Sequence, residues 1–181
     1  MNILLLGATG SIGKSVLSVI NQNNSELSLF GIAFNKNTIE ANNIVKNFAP
    51  SYVYIDDYDI FKNQNPTLKT KYINGDSALA DLINHEDVDV IICAISGFAG
   101  LKAAYIAAST GKKILLANKE SIVAGGDIIL PLAKSNNSEI IPIDSEHNAI
   151  FQCLLGEDDT KDVKKITITA SGGPFLNKKL S

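Results

Sequence analysis

The sequence predicts an α/β fold, doubly wound around a mainly parallel sheet. Three observations carry this expectation. Short apolar runs recur along the chain, a helical segment follows nearly every one, and small-residue turns join several of the pairs. Six alternations of strand and helix make the pattern of βαβ units, whose strands are covered on both faces and read as continuous apolar runs. At 181 residues and 45% hydrophobic content, the chain has material for a sizeable core.

Residues 2–6 (NILLL) are the first such run. Gly7-Ala8-Thr9-Gly10-Ser11-Ile12-Gly13 follows, and Ile12, Val16, Leu17 and Ile20 then share one helix face. Strand, glycine-rich turn and helix in this order are what a dinucleotide fingerprint requires. The glycines let the backbone turn tightly and approach a pyrophosphate, which rests on N–H groups at the helix start. The spacing here is G-x-x-G-x-x-G, a variant of the commoner form, and a tight turn without ligand is the competing reading.

Residues 27–33 (LSLFGIA) form the second strand. An NAD-binding unit would end it in an acid that accepts from the ribose 2′-hydroxyl. Asn35-Lys36-Asn37 stands there instead, and Lys36 would attract a 2′-phosphate that an acid would repel, so the sequence points to NADP over NAD. Asn37 also suits a helix N-cap with Glu40 in the capping-box position, and a cap and a phosphate contact use different atoms. The helix over 38–48 stops before Ala49-Pro50, and 52–55 form a third strand. The polar stretch 56–71 is expected to hold a short helix near 58–63 and a surface connection, with Asp56, Asp57 and Asp59 in a solvated loop. A brief strand at 72–73 and a helix over 77–84 come next, with His85 exposed at the helix end.

Residues 88–95 (VDVIICAI) are another buried strand, followed by the small-residue turn Ser96-Gly97-Phe98-Ala99-Gly100 and an alanine-rich helix over 101–110 closed by Gly111. Residues 113–117 (KILLA) end in Asn118-Lys119-Glu120-Ser121, four polar residues at the carboxyl end of a parallel strand, where open α/β sheets bind ligands. A helix is expected around 127–134, and the apolar run Ile140, Ile141, Ile143 then leads into Asp144.

In extended chain, residues i and i+2 point to the same side at roughly 6.5–7 Å. Asp144 and Glu146 would then converge on one divalent cation, and oxygen ligands of this kind suit Mg²⁺ or Mn²⁺. The alternative is that Asp144 or Ser145 caps the helix HNAIFQCLL. His147, turned about 100° from Glu146 by helical geometry, reads as a structural or supporting residue. Residues 156–165 are charged and linker-like, and 166–170 (ITITA) alternate as a strand before the turn Ser171-Gly172-Gly173-Pro174-Phe175. That strand has no partner downstream, so the chain reads as truncated. At this length the chain suits one domain, or one domain plus a piece of another.

Net charge is −3 and the isoelectric point about 5.3, which argues against nucleic-acid binding, since a phosphate backbone needs a basic surface. The apolar run at the start is too short for a secretion signal, and none approaches a membrane span. Cys93 and Cys153 sit in apolar runs far apart, as small core residues of a reducing compartment would. A cytoplasmic protein is expected.

Together, GATGSIG, LLANKES (115–121), PIDSEHNAIFQ and ASGGPF (170–175) resemble the 1-deoxy-D-xylulose 5-phosphate reductoisomerase family, in order and over the whole chain. The resemblance implies a Rossmann-like NADPH-binding domain over residues 1–140, the incomplete start over 141–181 of a second, α/β catalytic domain that binds Mg²⁺ or Mn²⁺ and substrate, and a homodimer at full length. It implies rearrangement of a ketose phosphate and reduction of the resulting aldehyde to 2-C-methyl-D-erythritol 4-phosphate. Carried over by motif, Thr9, Gly10, Ser11 and Ile12 would hold the pyrophosphate, and Asn35, Lys36 and Asn37 the 2′-phosphate. The family usually has glycine where Asn35 stands. Asn118 and Glu120 would lie near the nicotinamide, and Lys119 would contact substrate oxygens. Asp144 and Glu146 would ligate the metal, while Ser145, Glu146 and Ser171 would touch substrate. Lys119 and Glu146 would then be the catalytic pair. The family's remaining metal carboxylate, mobile loop and most phosphate contacts lie beyond residue 181, which implies cofactor binding without turnover. Two other readings compete: another NADP-dependent sugar or semialdehyde dehydrogenase, and a non-catalytic nucleotide-binding module.

Overall fold

Alternate residues of the first strand enter two different cores. Along β1 (Asn2–Leu6), Ile3 and Leu5 pack on one face of the sheet, and Leu4 and Leu6 on the other. All four are at most 4% exposed, and a strand covered on both sides needs helices on both sides. Burying each such side chain contributes roughly 1.5–3 kcal/mol.

The computed structural model describes residues 1–61, 63, 69–156 and 163–169. After β1 come α1 (Ser11–Gln22), β2 (Ser28–Phe34), α2 (Thr38–Phe48), β3 (Tyr52–Ile55), α3 (Tyr58–Phe61), β4 (Lys71–Ile73), α4 (Asp76–Asn84) and β5 (Val90–Cys93). The chain continues through α5 (Gly100–Ala108), β6 (Lys113–Leu116), α6 (Lys119–Ser135), β7 (Glu139–Pro142) and α7 (Ser145–Cys153). The seven strands lie in the order β4-β3-β2-β1-β5-β6-β7, all parallel. The α/β, doubly wound, Rossmann-like class expected from the alternation is what the chain adopts, and the brief strand expected at 72–73 is its edge strand β4.

Helices α1 and α2 cover the Ile3/Leu5 face with Leu17, Ile20, Ala41 and Ile44. Helices α4, α5 and α6 cover the Leu4/Leu6 face with Leu79, Leu82, Ala104, Ala107 and Ile129. The order reverses at β1, where the chain runs outward first through β2 and later through β5. The crevice between the carboxyl ends of β1 and β5 is the topological switch point at which such sheets bind ligands.

Three local expectations need correction. The helix expected around 127–134 already begins at Lys119 and runs through Gly125, Gly126 and Pro131. Pro131 removes one backbone bond, to the carbonyl of residue 127. Gly125 is kept because a Cβ there would stand 2.8 Å from Leu101 Cδ1 on α5. Secondly, residues 163–169 form no strand; alternation marks a strand only when an edge pairs with it, and this segment lies against α7 instead. Thirdly, α7 starts at Ser145, so only the N-cap Asp144, with φ −76° and ψ 150°, keeps extended backbone, and Ser145 and Glu146 are already in the helix. A division of the chain at 140 falls inside β7, which pairs with β6 from Glu139 to Pro142.

Cys93 on β5 is buried, which pushes its thiol up to about 12, whereas Cys153 on α7 is exposed. Thiolates, not thiols, attack disulfides. Ellman's reagent is therefore expected to modify Cys153 in the native chain and both cysteines only after denaturation; rapid loss of both in the native chain would contradict the packing of β5.

Candidate nucleotide cleft and cation site

Close backbone packing shapes the turn after β1. Gly7 has φ +92°, and a Cβ there would meet Ala94 O on the β5 side at 2.5 Å. The N–H groups of Gly7 and Ala8 both donate to Ala33 O at the end of β2, at 2.9 and 3.0 Å. The turn is thus tied to both strands that border the switch point. Gly10 caps α1 without any side-chain bond, and the first turn of α1 holds no acid, so the N–H groups around Ser11 and Ile12 are left for an anion. Gly13 lets the helix sit on the turn, since a Cβ would stand 2.3 Å from Ala8 O.

A cavity of about 270 Å³ opens beside this turn, with Thr9, Gly10, Asn35, Tyr54, Asp56 and Ser96 on its wall. Asn35 thus joins Thr9 and Gly10 in one cleft, whereas Lys36 is exposed and outside its lining. Asn37 caps α2, its Oδ1 accepting from Glu40 N–H at 3.1 Å. The Glu40 carboxylate reaches Lys14 at 3.8 Å, so the box is closed from the Asn37 side.

Tyr54 and Asp56 were not anticipated as cleft residues; the sequence shows only a run of acids after an apolar strand. Burial, the neighbouring Asp56 charge and its hydrogen bond, and the charge of Asp76 push the Tyr54 phenol up to about 12. The phenol therefore stays protonated and donates to Asp56 Oδ1 at 3.2 Å.

At the carboxyl end of β6, Asn118 is 2% exposed. Its Nδ2 donates to Ile95 O and, at 2.8 Å, to Gly97 O, while Oδ1 accepts from Ser121 N–H at 2.8 Å. One side chain thereby caps α6 and holds the 95–97 turn. Lys119 and Glu120 form the exposed first turn of α6. The polar residues expected at the end of this strand are in place as a helix start.

A second cavity, of about 300 Å³, is lined by Asn118, Lys119, Asp144 and His147 among others. Asp144 Oδ1 lies 3.0 Å from His147 Nδ1, three residues on in α7. Asp144 Oδ2 is buried and has no hydrogen-bond partner among the described residues. Glu146 and Ser145 line a different cavity, of about 370 Å³, between α7 and residues 163–169. Asp144 is the extended N-cap residue and Glu146 lies in the first turn of α7, so the same-side geometry of a continuous extended chain does not apply to this pair. Ser171 lies outside the described residues.

An orphaned buried carboxylate oxygen beside a lysine and a histidine fits a divalent cation, because such an oxygen is costly unless something positive meets it. No cluster of three His, Cys, Asp or Glu side chains occurs among the described residues. The fit thus rests on Asp144 as the anchoring donor. The glycine turn likewise fits a dinucleotide, because the start of α1 has neither a side-chain cap nor an acid in its first turn to compete with a ligand's phosphates.

A family model described as 1-deoxy-D-xylulose 5-phosphate reductoisomerase matches residues 3–126, and one for the C-terminal domain of that enzyme matches residues 140–181. The chain belongs to the 1-deoxy-D-xylulose 5-phosphate reductoisomerase family. The reductoisomerase of Vesicomyosocius okutanii is 42% identical over 99% of this chain and 47% of its own length. The chain thus spans about half the length of the curated relatives it matches. A reductoisomerase structure in complex with NADPH, fosmidomycin and magnesium superposes with TM-score 0.81 at 37% identity, covering 86% of this chain and 39% of that one. The Zymomonas mobilis reductoisomerase in complex with NADPH gives TM-score 0.78 at 34% identity, covering 84% and 41%. Among the described residues, no helix of this reductoisomerase-family chain is long and apolar enough to cross a membrane.

Proposed function

We propose that this chain carries the cofactor-binding half of an NADPH- and divalent-metal-dependent reductoisomerase that converts 1-deoxy-D-xylulose 5-phosphate to 2-C-methyl-D-erythritol 4-phosphate. The observation that carries the proposal is Asp144 Oδ2, buried and unpaired in the cavity shared by Lys119 and Asn118. A plain dehydrogenase has no need of an unpaired acid there. The relatives in complex with NADPH and magnesium support the same reading.

In this proposal Thr9, Gly10, Ser11 and Ile12 seat the pyrophosphate, and Asn35, Lys36 and Asn37 surround the 2′-phosphate. Asn118 and Glu120 stand at the nicotinamide end, Asn118 by holding the 95–97 turn. Asp144 and Glu146 hold Mg²⁺ or Mn²⁺, the balance of its six-fold shell coming from other oxygens. When bound, NADPH supplies the hydride and the cation supplies Lewis acidity for carbon–carbon migration. Lys119 places a positive charge beside the substrate oxygens, where negative charge develops. Ser145, Glu146 and Ser171 orient the sugar phosphate. Residues from 141 onward begin the catalytic domain, although Ile141 and Pro142 still complete β7. A homodimer in the cytoplasm completes the proposal, and the unpaired Cys93 and Cys153 suit a reducing compartment.

The test is calorimetric titration of this chain with NADPH, NADH and then Mn²⁺. NADPH should bind about tenfold or more tighter than NADH, a difference of about 1.4 kcal/mol or more. Mn²⁺ should bind weakly, and Asp144→Ala should remove that binding. Equal affinity for the two nucleotides removes the role given to Lys36, and unchanged Mn²⁺ binding in the variant removes Asp144 from the cation site. Turnover belongs to the whole protein, so a measurable reductase rate from these 181 residues would count against this assignment of parts.

A further inference from the structure

The wall of the nucleotide cleft carries charge that a pyrophosphate does not use. Asp56, directly after β3, lines the cleft, and the Tyr54 hydroxyl donates to its Oδ1 at 3.2 Å. The side chain of Asn74 donates to the carbonyl of Ile55 and, at 3.1 Å, to that of Asp56. The carboxylate is therefore fixed both through its own oxygen and through its backbone. Its neighbour Asp57 has a different task, capping α3 by accepting from the N–H groups of Asp59 and Ile60 at 3.0 and 3.1 Å. On the same cleft wall, Lys102 of α5 is paired with Asp76 of α4. Asp56 thus presents a held acceptor beside the small apolar surfaces of Ala33, Ala94 and Ala99.

A fixed carboxylate beside an apolar slot suits a flat ring that offers an N–H. The ring lies against the small side chains, and its exocyclic amine donates to the acid, which keeps acceptor capacity beyond the Tyr54 bond. A carbonyl at the same ring position would set acceptor against acceptor and be rejected. We propose that Asp56, held by Tyr54, accepts from the exocyclic amine of the cofactor's adenine and makes the cleft selective for adenine over a 6-oxopurine. This rests on the NADPH reading above and deepens it.

The experiment titrates this chain with NADPH and with reduced nicotinamide hypoxanthine dinucleotide phosphate, in which a carbonyl replaces the amine. Wild type should bind NADPH about tenfold or more tighter than the hypoxanthine form. Asp56→Asn, whose amide can turn its NH₂ toward the carbonyl, should bring that ratio close to one while leaving the NADPH-over-NADH preference unchanged. Tyr54→Phe, nearly isosteric in the core, should lower the ratio part of the way. Equal wild-type affinity for the two nucleotides, or a ratio that survives in Asp56→Asn, overturns the adenine contact and leaves the NADPH reading standing. Failure of wild type to bind either nucleotide overturns both.

Discussion

Gly13→Ala is expected to lower the melting temperature of the chain by roughly 6–12 °C and to weaken NADPH binding about tenfold or more. The added Cβ would stand 2.3 Å from Ala8 O, 2.6 Å from Ala8 C and 2.7 Å from Gly7 O. All three are backbone atoms of a turn already tied to Ala33 O, so no side chain can swing away. Either α1 lifts from the turn or the turn leaves β2, and overpacking of this kind costs about 3 kcal/mol. Both movements displace the N–H groups meant for the pyrophosphate, so stability and affinity should fall together. Gly126→Ala on α6 is the internal control. There the nearest contacts are side-chain atoms, Ile122 Cγ2 at 3.3 Å and Leu130 Cδ1 at 4.0 Å, outside the sub-3 Å range met at Gly13. A helix interior gains about 1 kcal/mol from glycine to alanine, so this variant should melt no lower than wild type. If thermal melts and nucleotide titrations show the two variants behaving alike, the cradle geometry is wrong.

The contrast between these glycines also marks what the sequence could reveal. The turn at 7–13 was legible because strand, glycines and helix are consecutive, and a local pattern fixes a local structure. The start of α6 was not legible. Gly125 and Gly126 lower helix propensity ahead of residue 127, yet the helix runs through them because Gly125 is where α5 and α6 meet, and that contact is set by the distant Leu101. Asp144 and Glu146 were legible as an acidic pair but not in their directions. Whether residue 145 continues the strand or opens a helix decides which way each acid points, and here α7 opens at Ser145. Asp56 was hidden for a third reason. Its side chain is met by Tyr54 two residues back, and its backbone carbonyl by Asn74 eighteen residues on; the second relation is long-range and leaves no pattern in the sequence.

Asn118 offers the sharpest separation between a helix cap and a clamp. As a cap alone, its Oδ1 accepting from Ser121 N–H would be matched by aspartate, which is as good an N-cap residue as asparagine. The structure gives it a further task, since Nδ2 donates to the carbonyls of Ile95 and Gly97 across the gap to the β5–α5 turn. Gly100 is kept small by this same group, which would lie 2.2 Å from an added Cβ. Asn118→Ala loses the cap, about 1 kcal/mol, and leaves the Ile95 carbonyl without its donor, about 1–3 kcal/mol where it stays dry, while Gly97 O keeps Gly100 N–H at 3.2 Å. A total near 3 kcal/mol is expected. Asn118→Asp should be worse at neutral pH despite keeping the cap, because a buried carboxylate would then face two carbonyl oxygens. Urea denaturation orders the three chains as wild type, alanine, aspartate in falling stability, and nucleotide affinity should follow the same order because the 95–97 turn borders the cleft. An aspartate variant as stable as wild type would reduce Asn118 to a cap and detach α6 from the nucleotide cleft.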